Sequence, residues 1–119
     1  MKFPSGKRRI TLVVSPVDLR SGYRSLSAIA RAALDIDVES GKEIVVFISR
    51  RRTSCKVIWC DERGSATLVR GLHAGRFEAF LARAEGPSTK RFTAADLEKF
   101  LDGEPIYVKR SGILARELT

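Results

Sequence analysis

Apolar residues run along this chain in two rhythms. Residues 9–14, Arg-Ile-Thr-Leu-Val-Val, are mostly apolar and β-branched and predict a strand. Ser15-Pro16-Val17-Asp18 ends it, because Pro16 lacks the N–H that a central strand needs. From residue 19 or 22 to residue 34 the period lengthens. Tyr23, Leu26, Ile29, Ala30, Ala33 and Leu34 share one helical face, with Asp18 or Ser21 placed to cap the N-terminus. Asp35 to Lys42 is a polar, acidic connection ending in the turn signal Ser40-Gly41. Three strand-like runs follow, Glu43 to Ser49, Cys55 to Asp61 and Ser65 to Arg70, joined by Arg50 to Ser54 and by Asp61-Glu62-Arg63-Gly64. Connections this short predict antiparallel hairpins, since a parallel pair needs a crossover of about a dozen residues.

Beyond the strands, Gly75 to Ala84 predicts a second helix, with Phe77, Phe80, Leu81 and Ala84 on its apolar face and Gly86-Pro87-Ser88 as its stop. Thr89 to Phe92 is a short extended piece suited to a sheet edge. Thr93 caps a third helix, with Asp96 as its capping-box partner, Leu97, Phe100 and Leu101 as its apolar face, and Gly103 and Pro105 as its stop. The expected fold class is α+β: an antiparallel β-meander with about three helices packed on one face or at its ends. Residues 1–104 form the single domain of this reading, and residues 105–119 a C-terminal extension or tail.

Composition narrows the class. The chain has 119 residues, 44% hydrophobic and 30% charged, as for one globular domain rather than a disordered segment. No apolar run approaches the roughly 20 residues that span a bilayer. The stretch Ile10 to Val14 is too short for a signal-peptide core, so the expected location is the cytoplasm, with no membrane partner. Cys55 and Cys60 fit neither a C-x-x-C site nor a disulfide framework. His73 is the one histidine; no metal site and no cofactor are expected.

Charge points to a partner. The formal net charge is +8, and it is localised: residues 1–20 hold five basic and one acidic side chain, and residues 42–76 eight and three. Such blocks suit a polyanion, foremost DNA, against the plainer reading of a solubilising surface. The candidate DNA contacts are Arg50, Arg51, Arg52, Lys56, Arg63, Arg70 and Arg76. Guanidinium forks grip phosphate oxygens in pairs, which positions DNA without reading its sequence. The competing reading is a solvated hairpin loop whose charges deter edge aggregation. Trp59 is placed either to pack in the core or to stack on a base. Asp18 is a helix cap, with Arg20 as its ion-pair partner or as a phosphate ligand. Gly75-Arg76-Phe77 reads equally as an anion-binding helix start or as a turn before an exposed arginine. No catalytic residue is expected. A nuclease of the Asp…(Asp/Glu)-x-Lys type needs an acid two residues before its lysine, and here Ser54 precedes Lys56 and Ser40 precedes Lys42.

Five short motifs carry a resemblance. They are Pro16-x-Asp18-Leu19-Arg20, Val46-Phe47-x-x-Arg50-Arg51, Lys56-x-Ile58-Trp59-x-Asp61-x-x-Gly64, Arg70-x-Leu72-x-x-Gly75-Arg76-Phe77 and Leu97-x-x-Phe100-Leu101-x-Gly103. Over about residues 10–104 the series resembles the small transposase accessory proteins, called TnpB, of bacterial mobile elements of the insertion-sequence-66 class. The large RNA-guided nuclease of the same name is a different protein. The resemblance implies a non-catalytic accessory protein that acts beside a separate transposase from the same element. Such a protein would bind DNA through the basic meander or bridge it to the transposase. The alternatives are a subunit docking an acidic patch of the transposase without touching DNA and, last, a small metal-dependent nuclease. This chain departs from the family pattern with Cys60 where a second aromatic is common and Arg52 where glycine is common. The oligomeric state is left open.

Overall fold

All six residues of strand β2 (Glu43–Ile48) are buried, and so are four of the five in β1 (Arg9–Val13), in the computed structural model, which describes residues 6–80, 89–104, 109–110 and 113–114. A strand covered on both faces reads as a continuous apolar run, as parallel strands commonly do. These two strands do pair in parallel, from Arg9 opposite Glu43 to Val13 opposite Phe47. The exposed Arg9 guanidinium pairs across the register with the buried Glu43 carboxylate, keeping that charge compensated. The crossover between the strands runs through helix α1 (Tyr23–Leu34) and a 3-10 turn at Val38–Ser40. The purely antiparallel meander is corrected here, because residues 14–42 are long enough to carry the chain back over the sheet.

The rest of the sheet follows the hairpin logic. Strand β3 (Ser54–Asp61) pairs antiparallel with β2, and β4 (Gly64–Gly71) antiparallel with β3. Strand β5 (Thr89–Phe92) takes the free edge of β1, also antiparallel, so the order is β4-β3-β2-β1-β5. Alternate residues of β2 feed two cores. Ile44, Val46 and Ile48 meet Val57, Phe77, Leu97 and Phe100 on one face. Val45 and Phe47 meet Ile58, Leu26 and Ala30 on the other. Helices α1 and α2 (Ala94–Leu101) therefore cover opposite faces, where the expectation was one face or the ends of the sheet.

Capping is legible at α2 and not at α1. Thr93 and Asp96 exchange side-chain and backbone hydrogen bonds at 3.1 and 3.0 Å in a full capping box. Gly103 ends the helix at φ +75, and a Cβ there would lie 3.3 Å from Leu72 Cδ1. Helix α1 starts after Gly22, with no side-chain cap. Asp18 is turned to Arg20 instead, which corrects the expected Asp18 or Ser21 cap.

Two helices, not three, are present among the described residues. Residues 75–80 of the expected second helix are irregular, and residues 81–88 lie outside the described residues. The backbone of Phe77 is already committed: its N–H donates to the Arg52 carbonyl at 2.7 Å and its carbonyl accepts from the Arg52 guanidinium at 3.2 Å. The aromatic spacing serves packing without a helix. Phe77 stacks on Phe100 with ring centres 4.9 Å apart, and Phe92 tilts against Phe100 at 5.4 Å. Of the expected tail, Lys109–Arg110 and Ile113–Leu114 pair as a two-stranded antiparallel sheet; the remainder lies outside the described residues.

Candidate nucleic-acid interface

Parallel pairing brings together two loops far apart in sequence. The loop after β1 (residues 14–22) and the loop after β2 (residues 49–53) leave the carboxyl ends of adjacent strands, the usual place for a ligand crevice in an α/β arrangement. The Val17 N–H donates to the Ile48 carbonyl at 3.0 Å and holds the loops side by side. Between them opens a cleft of about 480 Å³. Pro16, Val17 and Leu19 form its apolar wall, and Arg20, Arg50 and Arg51 its basic rim.

Arg20 and Asp18 form an exposed pair. Asp18 accepts from the Arg20 backbone N–H at 3.0 Å and from the guanidinium at 2.8 Å. These bonds hold the Asp18 carboxyl at a pKa of about 2 and raise that of Arg20, so both are charged throughout the physiological range. Arg50 and Arg51 are exposed, and among the described residues neither side chain has a partner.

The seven basic residues singled out in the sequence divide by task. Arg52, at φ +59, binds the Phe77 carbonyl and ties down the segment after β4. Lys56 Nζ donates to the Ser21 carbonyl at 2.9 Å, anchoring the approach to α1. Arg70 donates to the Leu101 carbonyl at 2.9 Å and reaches Asp102 at 3.2 Å, satisfying the end of α2. Arg76 is exposed beside the Arg52–Phe77 hydrogen bond, at the same end of the sheet as Arg50 and Arg51. Arg63 is exposed in the β3–β4 turn at the far end of β3, about 27 Å away for an eight-residue strand.

Other motif residues build turns and cores. The Asp61 carboxylate accepts from the N–H groups of Arg63 and Gly64 at 2.8 and 3.2 Å, closing the two-residue hairpin loop. Gly75 has φ +76, in the irregular stretch before Phe77. Trp59 is half-buried against the α2-side core, consistent with packing. The two thiols sit on opposite faces, and both are buried and favour the protonated form. Burial pushes Cys55 up to about 12, and burial together with Glu39 and Asp61 raises Cys60. Glu39 also accepts from the Tyr23 hydroxyl at 3.0 Å. No group of three or more metal-ligating side chains occurs among the described residues, and no helix there is long and apolar enough to cross a membrane.

The cleft was missed in the sequence because it depends on the parallel pair. The available signal was the mostly apolar character of residues 10–14, broken only by Thr11, and of residues 44–48, which marks strands covered on both sides. Comparison with known proteins agrees with the motif series. The chain is 33% identical over 75 residues to the uncharacterized protein y4hO of Sinorhizobium fredii, a stretch covering 62% of this chain and 64% of that protein. No solved structure matches. The family described as IS66 Orf2 like protein matches residues 8–111, past the residue 104 at which the motif series ends, and the chain belongs to that family.

Proposed function

We propose that this protein is a non-catalytic accessory factor of DNA transposition that holds the DNA backbone at the arginine-rimmed cleft and presents it to the transposase of the same element. Membership of the IS66 Orf2-like family implies the accessory role in transposition. The observation that carries the DNA contact is the convergence of Arg20, Arg50 and Arg51 on one cleft, with Arg50 and Arg51 uncommitted and Arg76 at the same end. Uncommitted guanidinium groups bind phosphate without first breaking an internal bond. Arg52, Lys56 and Arg70 support the site by fixing the elements around it, and Arg63 offers a second, distant contact. The raised pKa values of both thiols support the non-catalytic reading.

Fluorescence anisotropy on duplex DNA across a salt series tests this. The three cleft arginines together with Arg76 at the same end predict a log–log salt slope of about −3.6 and a non-specific Kd of about 10⁻⁴ to 10⁻⁶ M at physiological salt. The double variant Arg50→Ala, Arg51→Ala should flatten the slope by about 2 on every DNA sequence alike. An unchanged slope refutes the cleft as the phosphate contact. The apolar wall of Pro16, Val17 and Leu19 favours a second reading, in which the cleft takes an acidic segment of the transposase. That reading predicts no DNA binding at low salt and loss of transposase capture by the same variant.

A further inference from the structure

The two edges of the sheet are built differently. Strand β5, at one edge, is four residues long and carries Lys90 and Arg91. Short, charged edges resist pairing with other strands. Strand β4, at the other edge, is eight residues long, Gly-Ser-Ala-Thr-Leu-Val-Arg-Gly, with no proline, no lysine and no acid. Its one charge, Arg70, is directed to Leu101 and Asp102. Val69, on the α1 side, is 64% exposed, the one large hydrophobic so exposed among the described residues.

Hydrogen-bonding direction alternates along an antiparallel strand. The two-residue loop makes Asp61–Gly64 a closing pair, and at the other end the Leu72 N–H donates to the Thr53 carbonyl at 2.9 Å. Even-numbered residues of β4 thus bond inward to β3, and Ser65, Thr67, Val69 and Gly71 turn their N–H and C=O groups outward. Among the described residues nothing pairs with them.

We propose that β4 is a dimerisation edge, pairing antiparallel with β4 of a second copy to make one ten-stranded sheet. A two-fold axis through Leu68 places Thr67 opposite Val69, Ser65 opposite Gly71, and Ala66 opposite Arg70 of the other copy. β-Branched residues then face each other, and no like charges do. Charge selects this occupant. A foreign strand attracted to a +8 chain would be acidic, yet within Gly64–Gly71 the edge offers no uncommitted cation to recognise one, and the cation that precedes it, Arg63, follows the acidic Glu62 in the turn. A neutral edge is matched by another neutral edge, and every copy supplies one. The contact is narrow, one strand per copy, so a reversible dimer is expected rather than an obligate one.

Sedimentation velocity over a concentration series, paired with amide hydrogen exchange, tests the proposal on the full chain. The wild type should pass from monomer to dimer as concentration rises, while the Thr67 and Val69 amides change from fast to slow exchange. Val69→Lys, an exposed change, should weaken dimerisation about tenfold or more, and so should Thr67→Pro, which removes an outward N–H without touching the β3 ladder. Circular dichroism confirms that each variant is folded. A wild type monomeric at every concentration overturns the proposal. A dimer unaffected by Val69→Lys places the interface elsewhere and also overturns it. Slow exchange at Thr67 and Val69 in the dilute monomer shows the edge already covered by the chain itself, which is equally fatal to it.

Discussion

Replacing Arg70 by Met separates structural arginines from DNA-contacting ones. The Arg70 side chain leaves β4 on the α2 side and is 34% exposed. Its Nε donates to the carbonyl of fully buried Leu101, one of the last carbonyls of α2 and lacking a partner within the helix. A hydrogen bond from a charged group to such a carbonyl contributes about 1.5–3 kcal/mol. The contact with Asp102, 39% exposed, adds about 0.5 kcal/mol or less, since water screens it. Met keeps the aliphatic stem over the sheet and removes only the polar contacts. The expected loss is about 2 kcal/mol, or a Tm lower by about 6–12 °C for a domain of this size. Thermal denaturation followed by circular dichroism reads the first number, and salt-series anisotropy shows whether Arg70 also touches DNA. Arg70→Met should lower Tm and leave the salt slope unchanged, and Arg51→Met should do the reverse. An Arg70→Met protein with unaltered Tm and a slope flattened by about 1 refutes the division of labour.

Two other outcomes follow from buried groups. Phe77→Ala removes a ring stacked on Phe100 in a fully buried site and should cost about 3–5 kcal/mol by urea denaturation, although its position lies in an irregular segment. Cys55 has its folded-state pKa raised to about 12, so the folded state holds its proton where the unfolded state releases it. Stability is then full below about pH 9 and falls as pH rises, by up to about 1.4 kcal/mol per unit. The slope should shrink in Cys55→Ala, measured against wild type between pH 9 and 11, and an unchanged slope contradicts the burial argument.

Local rules were readable and long-range pairing was not. The 43–71 hairpins were legible because Asp61 to Gly64 is a turn whose side-chain chemistry is complete within four residues. The stop at Gly103 and the box at Thr93–Asp96 were legible for the same reason. Strand β1 was seen, but its partner was not, since nothing local in residues 9–14 says that Arg9 must lie opposite Glu43. The helix expected over 75–84, absent over the described residues 75–80, shows the converse failure. Phe77, Phe80 and Leu81 have helical spacing, yet a carbonyl and a guanidinium of Arg52, 25 residues earlier, claim the Phe77 backbone. Tertiary hydrogen bonds override spacing when the segment would otherwise gain only a short, weakly capped helix.

The same limit explains the candidate site. Seven cations in a row of motifs look like one basic surface when the chain is read as a line. Folding sorts them by what lies within reach of each side chain. Lys56, Arg52 and Arg70 emerge beside backbone carbonyls at loop and helix ends, where a cation is held by the protein. Arg50 and Arg51 emerge at the tip of the β2–β3 connection, where none is. The parallel β1–β2 pair then sets the loop carrying Arg20 beside that tip. Without the crossover through α1, these arginines would lie on unconnected loops. The element least visible in the sequence is therefore the one that assembles the cleft.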